Sequence, residues 1–458
     1  MPTDTTTPDA MHFRSLCLEN VRAFGKSQAL DFSDVNGKIC RWNLILGENG
    51  VGKTTLLEAL MVMRPVPASV PASIEKSGDA GSPTLSIARI SEFENKEILR
   101  FIRRGEIGST AMVAVLETAD GASLKVSAEI KGSANDLDEV KFPPDNYALH
   151  SDGPLVIRYV AGRQLGNRNL GRVGDRGAID SPFSEVMELY DAEEILEKLD
   201  HAAKTHDDEN DLELKRFNQL KAVAASILPG IKTEDIEVRG PRIEGRDRDL
   251  SGVHVRTPSG VVPLQELSLG YRTMFALIVD LTWCLSNAFP ESLDPVNESA
   301  IVLIDEIDLH LHPRWQREIA RRLMSQFPKI QFIATTHSPV TAQETLSEGG
   351  NVAVVRWENG EANILNRPVP PGDWRFDQIL TDELFPGISS DRPQKVEAKL
   401  YERLELIRNS NRSVEQDTRL RELDEFVASL PTASTPNGQS FEELMMNFAK
   451  DFPSGVAR

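Results

Sequence analysis

The chain reads as an α/β protein. It is expected to hold a mixed, mainly parallel sheet with helices, an antiparallel β-subdomain, a short helical insertion and a helical C-terminal region. Three observations predict this. Strand-like Trp42–Leu46 runs into the loop Gly47-Glu48-Asn49-Gly50-Val51-Gly52-Lys53-Thr54 and then into a helix carrying Thr55, Leu56, Leu57, Ala59, Leu60 and Met63. Ala300–Ile304 and Ile330–Thr335 are dominated by apolar residues, as interior strands of a parallel sheet are. Between them, Arg314–Phe327 puts Trp315, Ile319 and Leu323 on one helical face. A strand–helix–strand unit of this kind crosses over right-handed.

The elements follow in order. Residues 1–11 are rich in Thr, Pro and Asp, lack the apolar core of a signal peptide, and are expected to be disordered. Residues 12–46 read as a hairpin-rich start: Phe13–Val21, Ala29–Phe32, and Lys38–Leu46 after an Asn36-Gly37 turn. Pro65–Pro83 is rich in Pro, Ala and Ser, an exposed loop. The runs Thr84–Phe93, Glu97–Arg103, Ala111–Glu117 and Ser123–Ile130, with a turn at Asp120-Gly121, predict an antiparallel sheet. Leu155–Val160 suits a buried strand, and an arginine-rich loop with Arg163, Arg168, Arg172 and Arg176 follows it.

Helical spacing appears at Glu185–Ala203 and Asp211–Leu228, giving an insertion over about 184–230. No heptad array is sustained, so no long coiled-coil arm is expected. Residues 236–264 return to strand-like runs with a Pro258-Ser259-Gly260 turn. Leu269–Ala288 is a helix, and Asn351–Trp357 with Glu361–Leu365 forms a hairpin through Asn359-Gly360. After Pro368-Val369-Pro370-Pro371, charged helices are expected at Trp374–Leu384, Pro393–Asn409, Glu415–Leu430 and Phe441–Phe452. The domains are therefore expected at 12–370 and 371–458.

Composition narrows the class. The 458 residues are 26% charged and 40% hydrophobic, which is ordinary for a globular protein. A net charge of −19 argues against a general nucleic-acid coat protein but leaves room for a local basic patch. Cys17, Cys40 and Cys284 form no C-x-x-C pair, so a disulfide framework or zinc site is not expected and a reducing cytoplasm fits. The longest apolar run, Met274–Ala288, contains Asp280 and is too short to span a bilayer.

The loop at 47–54 matches G-x-x-x-x-G-K-[ST] without a gap, between the strand and the helix that this motif demands. Its glycines let successive N–H groups turn towards a phosphate chain, and the helix adds the positive end of its dipole. Lys53 would neutralise the outer phosphates, and the Thr54 hydroxyl would hold magnesium. Ile301-Val302-Leu303-Ile304-Asp305-Glu306 delivers two carboxylates to the carboxyl end of a buried strand, where ligands bind in open α/β sheets. Asp305 would bind magnesium, directly or through water. Glu306 is the candidate general base or water-orienting group.

Leu267-Ser268-Leu269-Gly270-Tyr271-Arg272 opens a helix, with Ser268 as N-cap and Gly270 allowing a close approach to the backbone. This segment resembles the signature motif of the ATP-binding-cassette (ABC) ATPases. In that family the signature helix faces the ATP held by the other protomer, which implies that Ser268 and Gly270 complete a partner's site. Ile307-Asp308-Leu309-His310-Leu311-His312-Pro313 resembles the family's D-loop, and His337, in Ile333-Ala334-Thr335-Thr336-His337-Ser338-Pro339, its switch histidine. His310 and His312 would also suit a metal, though no further ligand cluster is apparent. The family also has a glutamine linking magnesium to a moving lobe. Gln164 is the best placed, the rival being an arginine-bordered loop without such a glutamine. The arginines beside it would bind phosphates of ATP or nucleic acid, or merely solvate a loop.

The resemblance covers residues 12–366 and implies an ABC-ATPase head, ATP and Mg2+ as ligands, and a homodimer, or a higher oligomer built from it. Lys53 to Ser268 leaves room for a large insertion, unlike a transporter cassette. The start Leu16-Cys17-Leu18-Glu19-Asn20-Val21-Arg22-Ala23-Phe24 and the text Ile304–Pro313 are similar to the branch containing RecF, the structural-maintenance-of-chromosomes (SMC) proteins and the overcoming-lysogenisation-defect (OLD) nucleases. No zinc-hook cysteine pair is present, and no D-x-D pair follows residue 370, so the OLD nuclease domain is not expected. Trp374-Arg375-Phe376-Asp377-Gln378-Ile379-Leu380-Thr381 and the helical tail resemble the stand-alone ATPases of bacterial antiphage systems. These include the PtuA family of Septu, its retron-associated relatives and the PARIS ATPase. The resemblance implies a nucleotide-controlled switch for a separate effector, an HNH nuclease in Septu. A RecF-like repair ATPase binding DNA through the arginines of 158–176 and 239–248, and an ATP-stabilised scaffold, are the alternatives.

Overall fold

The computed structural model describes residues 10–67, 85–86, 95–103, 108–133, 136–141, 153–168, 183–205, 212–239, 252–367, 394–408, 413–428 and 430. The chain divides into two compact units, Met1–Pro386 and Gly387–Arg458. The expected boundary near 370 and the expected helices Trp374–Leu384 and Phe441–Phe452 lie outside the described residues, as do residues 1–9.

The first unit begins with strands β1 (Met11–Glu19), β2 (Gln28–Asp31) and β3 (Trp42–Gly47), followed by helix α1 (Lys53–Val62). Strands β4 (Gly108–Thr118), β5 (Ser123–Ser133) and β6 (Asp136–Lys141) come next. They join β1 and β2 in a five-stranded antiparallel sheet of order β2-β1-β4-β5-β6. Glu97–Arg103, expected as a strand, instead holds short helical turns at Asn95–Ile98 and Leu99–Phe101. They put Ile98 and Phe101 into the core under this sheet.

After β7 (Val156–Tyr159), the polar stretch expected to be an arginine-rich loop forms strand β8 (Gly162–Arg168). It pairs in parallel with β9 (Val186–Tyr190), inside a stretch expected to be helical from Glu185. Met187 and Leu189 are buried while Val186 and Glu188 are exposed, the alternation of a strand. Helix α2 (Ala192–Thr205) starts only after Asp191, whose Oδ1 accepts the Glu193 and Glu194 N–H groups at 2.9 and 3.3 Å. Helix α3 (Leu212–Ile227) follows. A three-stranded antiparallel sheet, β10 (Ile236–Arg239), β11 (Gly252–Thr257) and β12 (Gly260–Pro263), leads to helix α4 (Leu269–Ala288).

The chemistry sits on the elements that remain: β13 (Ala300–Ile304), α5 (Pro313–Gln326), β14 (Ile330–Thr336), α6 (Pro339–Ser347), β15 (Asn351–Glu358) and β16 (Glu361–Asn366). The central sheet has the order β16-β15-β3-β14-β13-β7, parallel except for β16. Leu44, Leu46, Val302, Ile304, Phe332 and Ala334 face one core, and Ile45, Ile301, Leu303 and Ile333 face the other. Burial on both faces explains the unbroken apolar runs. The parallel pairing of β3, β14 and β13 brings their carboxyl ends to one edge.

Within α4, Asp280 is fully buried, accepting from Tyr159 Oη at 2.9 Å and from the Tyr190 N–H at 2.8 Å. It thereby ties α4 to β7 and β9, satisfying a carboxylate that burial would otherwise penalise.

The second unit contains helices α7 (Gln394–Arg408) and α8 (Val414–Ala428). Contacts of Arg403 with Asp424, of Glu402 with Arg419 and of Lys399 with the Phe426 ring make them an antiparallel pair.

Candidate nucleotide site

The loop between β3 and α1 is shaped by two glycines in the left-handed region, Gly50 at φ 80° and Gly52 at φ 104°. Residues with a Cβ adopt such angles at a cost. Lys53 is buried, and its Nζ donates to the Gly47 and Glu48 carbonyls, each at 2.8 Å. It also lies 2.9 Å from His337 Nε2. Burial pulls Lys53 down to about 8, against the opposing pull of the Asp305, Glu306, Asp308 and Glu48 carboxylates. Burial also lowers His337, and the neighbouring Lys53 lowers it further.

Asp305 ends β13 facing the same loop. The Thr54 hydroxyl donates to its Oδ2 at 2.8 Å, and the Thr335 hydroxyl to its Oδ1 at 2.5 Å. Thr335 also accepts the Glu306 N–H at 2.8 Å. Glu306 itself has a φ of 48°. Asp308, in the segment that follows, accepts from the Thr336 hydroxyl at 2.6 Å. The fold therefore gathers Lys53, Thr54, Asp305, Glu306 and His337 from three parallel strands. Thr55 differs: it is buried, and its hydroxyl accepts from Arg22 Nη1 at 3.1 Å. Arg22 also holds the buried Glu58 at 2.6 Å, which stiffens the first turn of α1 from behind.

Ser268 and Gly270 stand apart from this cluster, at the start of α4. Ser268 is exposed and makes no side-chain cap bond. Gly270 lies against the loop after Glu306: a Cβ there would come within 2.5 Å of the His310 carbonyl oxygen. Its close backbone approach is thus to this chain's own loop. His312 caps α5, its Nδ1 accepting the Arg314 N–H at 3.2 Å. Among the described residues no group of three or more His, Cys, Asp or Glu side chains could hold a metal ion, so His310 and His312 form no such site there.

Two family models match the chain: "AAA domain" over residues 15–141 and "AAA domain, putative AbiEii toxin, Type IV TA system" over 166–342. The Septu protein PtuA of Bacillus mycoides (strain KBAB4) is 24% identical over 83% of this chain and 45% of its own length. The chain is related to PtuA and matches AAA-domain models. The retron Ec83 probable ATPase of Escherichia coli is 54% identical over 16% of this chain and 14% of its own. Among solved structures, the SMC head domain from Thermotoga maritima covers 78% of this chain and 100% of its own, at 17% identity and a TM-score of 0.41. The chain thus spans less than half the length of the PtuA that it matches.

In this relative of PtuA, Gln164 and its neighbour have different surroundings. Gln164 is exposed on β8. Arg163 instead turns inward, its guanidinium reaching the Asp305 carbonyl at 2.8 Å and the Glu306 carbonyl at 3.0 Å. Burial lowers the Arg163 pKa from its ordinary value, opposed by Asp305, Glu306 and Asp308. Arg163 thus directs its guanidinium to backbone carbonyls of this chain rather than to solvent. Sequence reasoning missed this role, and it missed Thr335. The Thr335-Thr336 pair before His337 was the available signal for the second. For Arg163 no local signal exists, because its partners lie 142 and 143 residues away.

Proposed function

We propose that this protein binds and hydrolyses ATP with magnesium, as a slow nucleotide-controlled switch in bacterial antiphage defence. The observation that carries the reading is the Thr54–Asp305 contact of 2.8 Å beside the buried Lys53. A hydroxyl and a carboxylate are hard oxygen donors, and two protein oxygens with phosphates and waters suit magnesium. The lack of a three-ligand protein cluster among the described residues fits an ion held largely through nucleotide phosphates. Bound there, magnesium supplies neutralisation of charge on the phosphate oxygens.

The chain's own residues do the rest. The N–H groups of the loop over Gly47–Thr55 cradle the phosphates. Lys53 exchanges its contact with His337 for phosphate oxygens. Glu306 orients the attacking water or takes its proton, and His337 senses the terminal phosphate. Ser268 is exposed at a helix N-terminus and its side chain makes no cap bond, which supports the reading that it serves the site of a second protomer. Two protomers would then join head to tail around two ATP–magnesium sites, and the dimer would govern a separate effector, an HNH nuclease by analogy with Septu.

Glu306→Gln tests the reading. It should bind ATP with undiminished affinity, lose roughly 100-fold or more in turnover, and accumulate as an ATP-dependent dimer in sedimentation. Wild-type turnover in that variant would remove Glu306 from its role.

A further inference from the structure

Arg163 makes contacts that no part of the mechanism above uses. Its Nη1 donates to the carbonyls of Val160 at 3.1 Å and Asp305 at 2.8 Å, and its Nη2 to the carbonyl of Glu306 at 3.0 Å. The last two belong to successive peptides at the point where the chain leaves β13. Glu306 there adopts φ 48°, an angle that a residue with a Cβ keeps only when its surroundings hold it. On the other side of Glu306, its N–H is tied to the Thr335 hydroxyl at 2.8 Å. Both the N–H and the carbonyl of this one residue are therefore anchored, one to β14 and one to β8.

A guanidinium suits this task better than an ammonium. Its planar fork presents several N–H groups in fixed directions and satisfies two carbonyls at once. Among the described residues the Glu306 carbonyl also accepts from the Leu309 N–H at 3.1 Å, a local backbone group that belongs to the same turn and moves with it. The same peptide is tied to β14 through the Ile307 N–H, which donates to the Thr335 carbonyl at 3.0 Å; Arg163 is a side-chain anchor on its carbonyl from β8.

We propose that Arg163 is a positioning residue that fixes the backbone of Glu306, and so aims its carboxylate at the attacking water. This rests on the reading of Glu306 as the group that activates or orients water. The strand carrying Arg163 runs beside β9, which leads into α2. The anchor of Glu306 thus sits on the strand that pairs with the one leading into the helical insertion.

The full-length chain is tested as Arg163→Met and Arg163→Lys, with Glu306→Gln as control. Steady-state ATP hydrolysis, calorimetric ATP binding, thermal melting and amide exchange over 305–311 are measured. Arg163→Met should lose about 10- to 100-fold in kcat, with KM and ATP affinity held within about twofold. Exchange over 305–311 should quicken, and Arg163→Lys should recover part of the kcat. Wild-type kcat in Arg163→Met would overturn the proposal. So would a kcat loss matched by equal losses of ATP affinity and melting temperature, which marks a merely structural residue. A wild-type protein that binds ATP but does not hydrolyse it would overturn the hydrolysis reading instead, and the exchange measurement would still report whether Arg163 holds the loop.

Discussion

The Lys53 ammonium stands 2.9 Å from His337 Nε2, linking the first turn of α1 to the loop after β14. The imidazole can accept this bond only when it is neutral at that nitrogen, and the lowered pKa of His337 favours that form. Burial likewise pulls Lys53 from 10.5 to about 8. The unfolded chain therefore binds more protons than the folded one between these values. By linkage, stability rises with pH across that window and is lost as pH falls towards 8. The effect is at most about 3 kcal/mol. Urea midpoints of nucleotide-free wild type and Lys53→Met between pH 7 and 10.5 would reveal it. Wild type should gain on the variant towards alkaline pH, and a constant difference would contradict the buried charge.

Thr335 bridges Asp305 and Glu306 through a single hydroxyl. Thr335→Val keeps the shape but removes both bonds in a fully buried position. The variant should lose about 1–3 kcal/mol of stability. It should also lose about tenfold or more in ATP turnover, because the carboxylate expected to hold magnesium is no longer oriented. Chemical denaturation and a phosphate-release assay read the two effects separately. A variant with wild-type turnover would show that Thr54 alone orients Asp305.

These contacts mark how far the sequence could be read. That the phosphate loop and Asp305 meet at one edge of the sheet was legible because each follows an apolar strand in a contiguous motif. The central strands were legible because burial on both faces demands unbroken apolar runs. Strand β8 was not. Apart from Leu165, its residues Gly162–Arg168 are glycine or polar, and it forms by backbone pairing with β9, so side-chain alternation carries no signal. A Cβ on Gly162 would meet the Glu185 carbonyl oxygen at 2.3 Å, a close approach visible only once the two strands are side by side. The period-two pattern of Val186–Tyr190 was hidden by the strongly helical spacing that follows it. Arg163 was counted among loop arginines for the same reason: its meaning lies in two carbonyls far away in sequence.

Gly270 invites a different substitution. The His310 carbonyl oxygen sits 2.5 Å from where an alanine Cβ would be, and this is backbone, which cannot rotate aside. His310 is itself held at φ 64°. Gly270→Ala should therefore push the start of α4 away from the loop after Glu306, at a cost of about 1–3 kcal/mol. Thermal melting should show the loss without nucleotide. If the α4 start also lies over a partner's ATP, ATP-dependent dimerisation should weaken more than ATP binding does. Equal melting temperatures for variant and wild type would mean that the two segments separate freely.

The head-to-tail arrangement can be tested by mixing two broken proteins. Lys53→Ala destroys the phosphate loop of its own chain but leaves Ser268 intact; Ser268→Ala does the reverse. In a mixed dimer with sites shared between chains, one site joins the two damaged halves and the other joins the two sound ones. Neither variant alone can form a sound site. With random exchange of protomers, half of the dimers are mixed and each regains one site of two, so about a quarter of wild-type sites return. Phosphate release by the mixture should therefore exceed the sum of the separate proteins, and do so only after time for subunit exchange. If Ser268 instead served the ATP bound by its own chain, every mixed dimer would hold only damaged sites, and the mixture would stay at that sum.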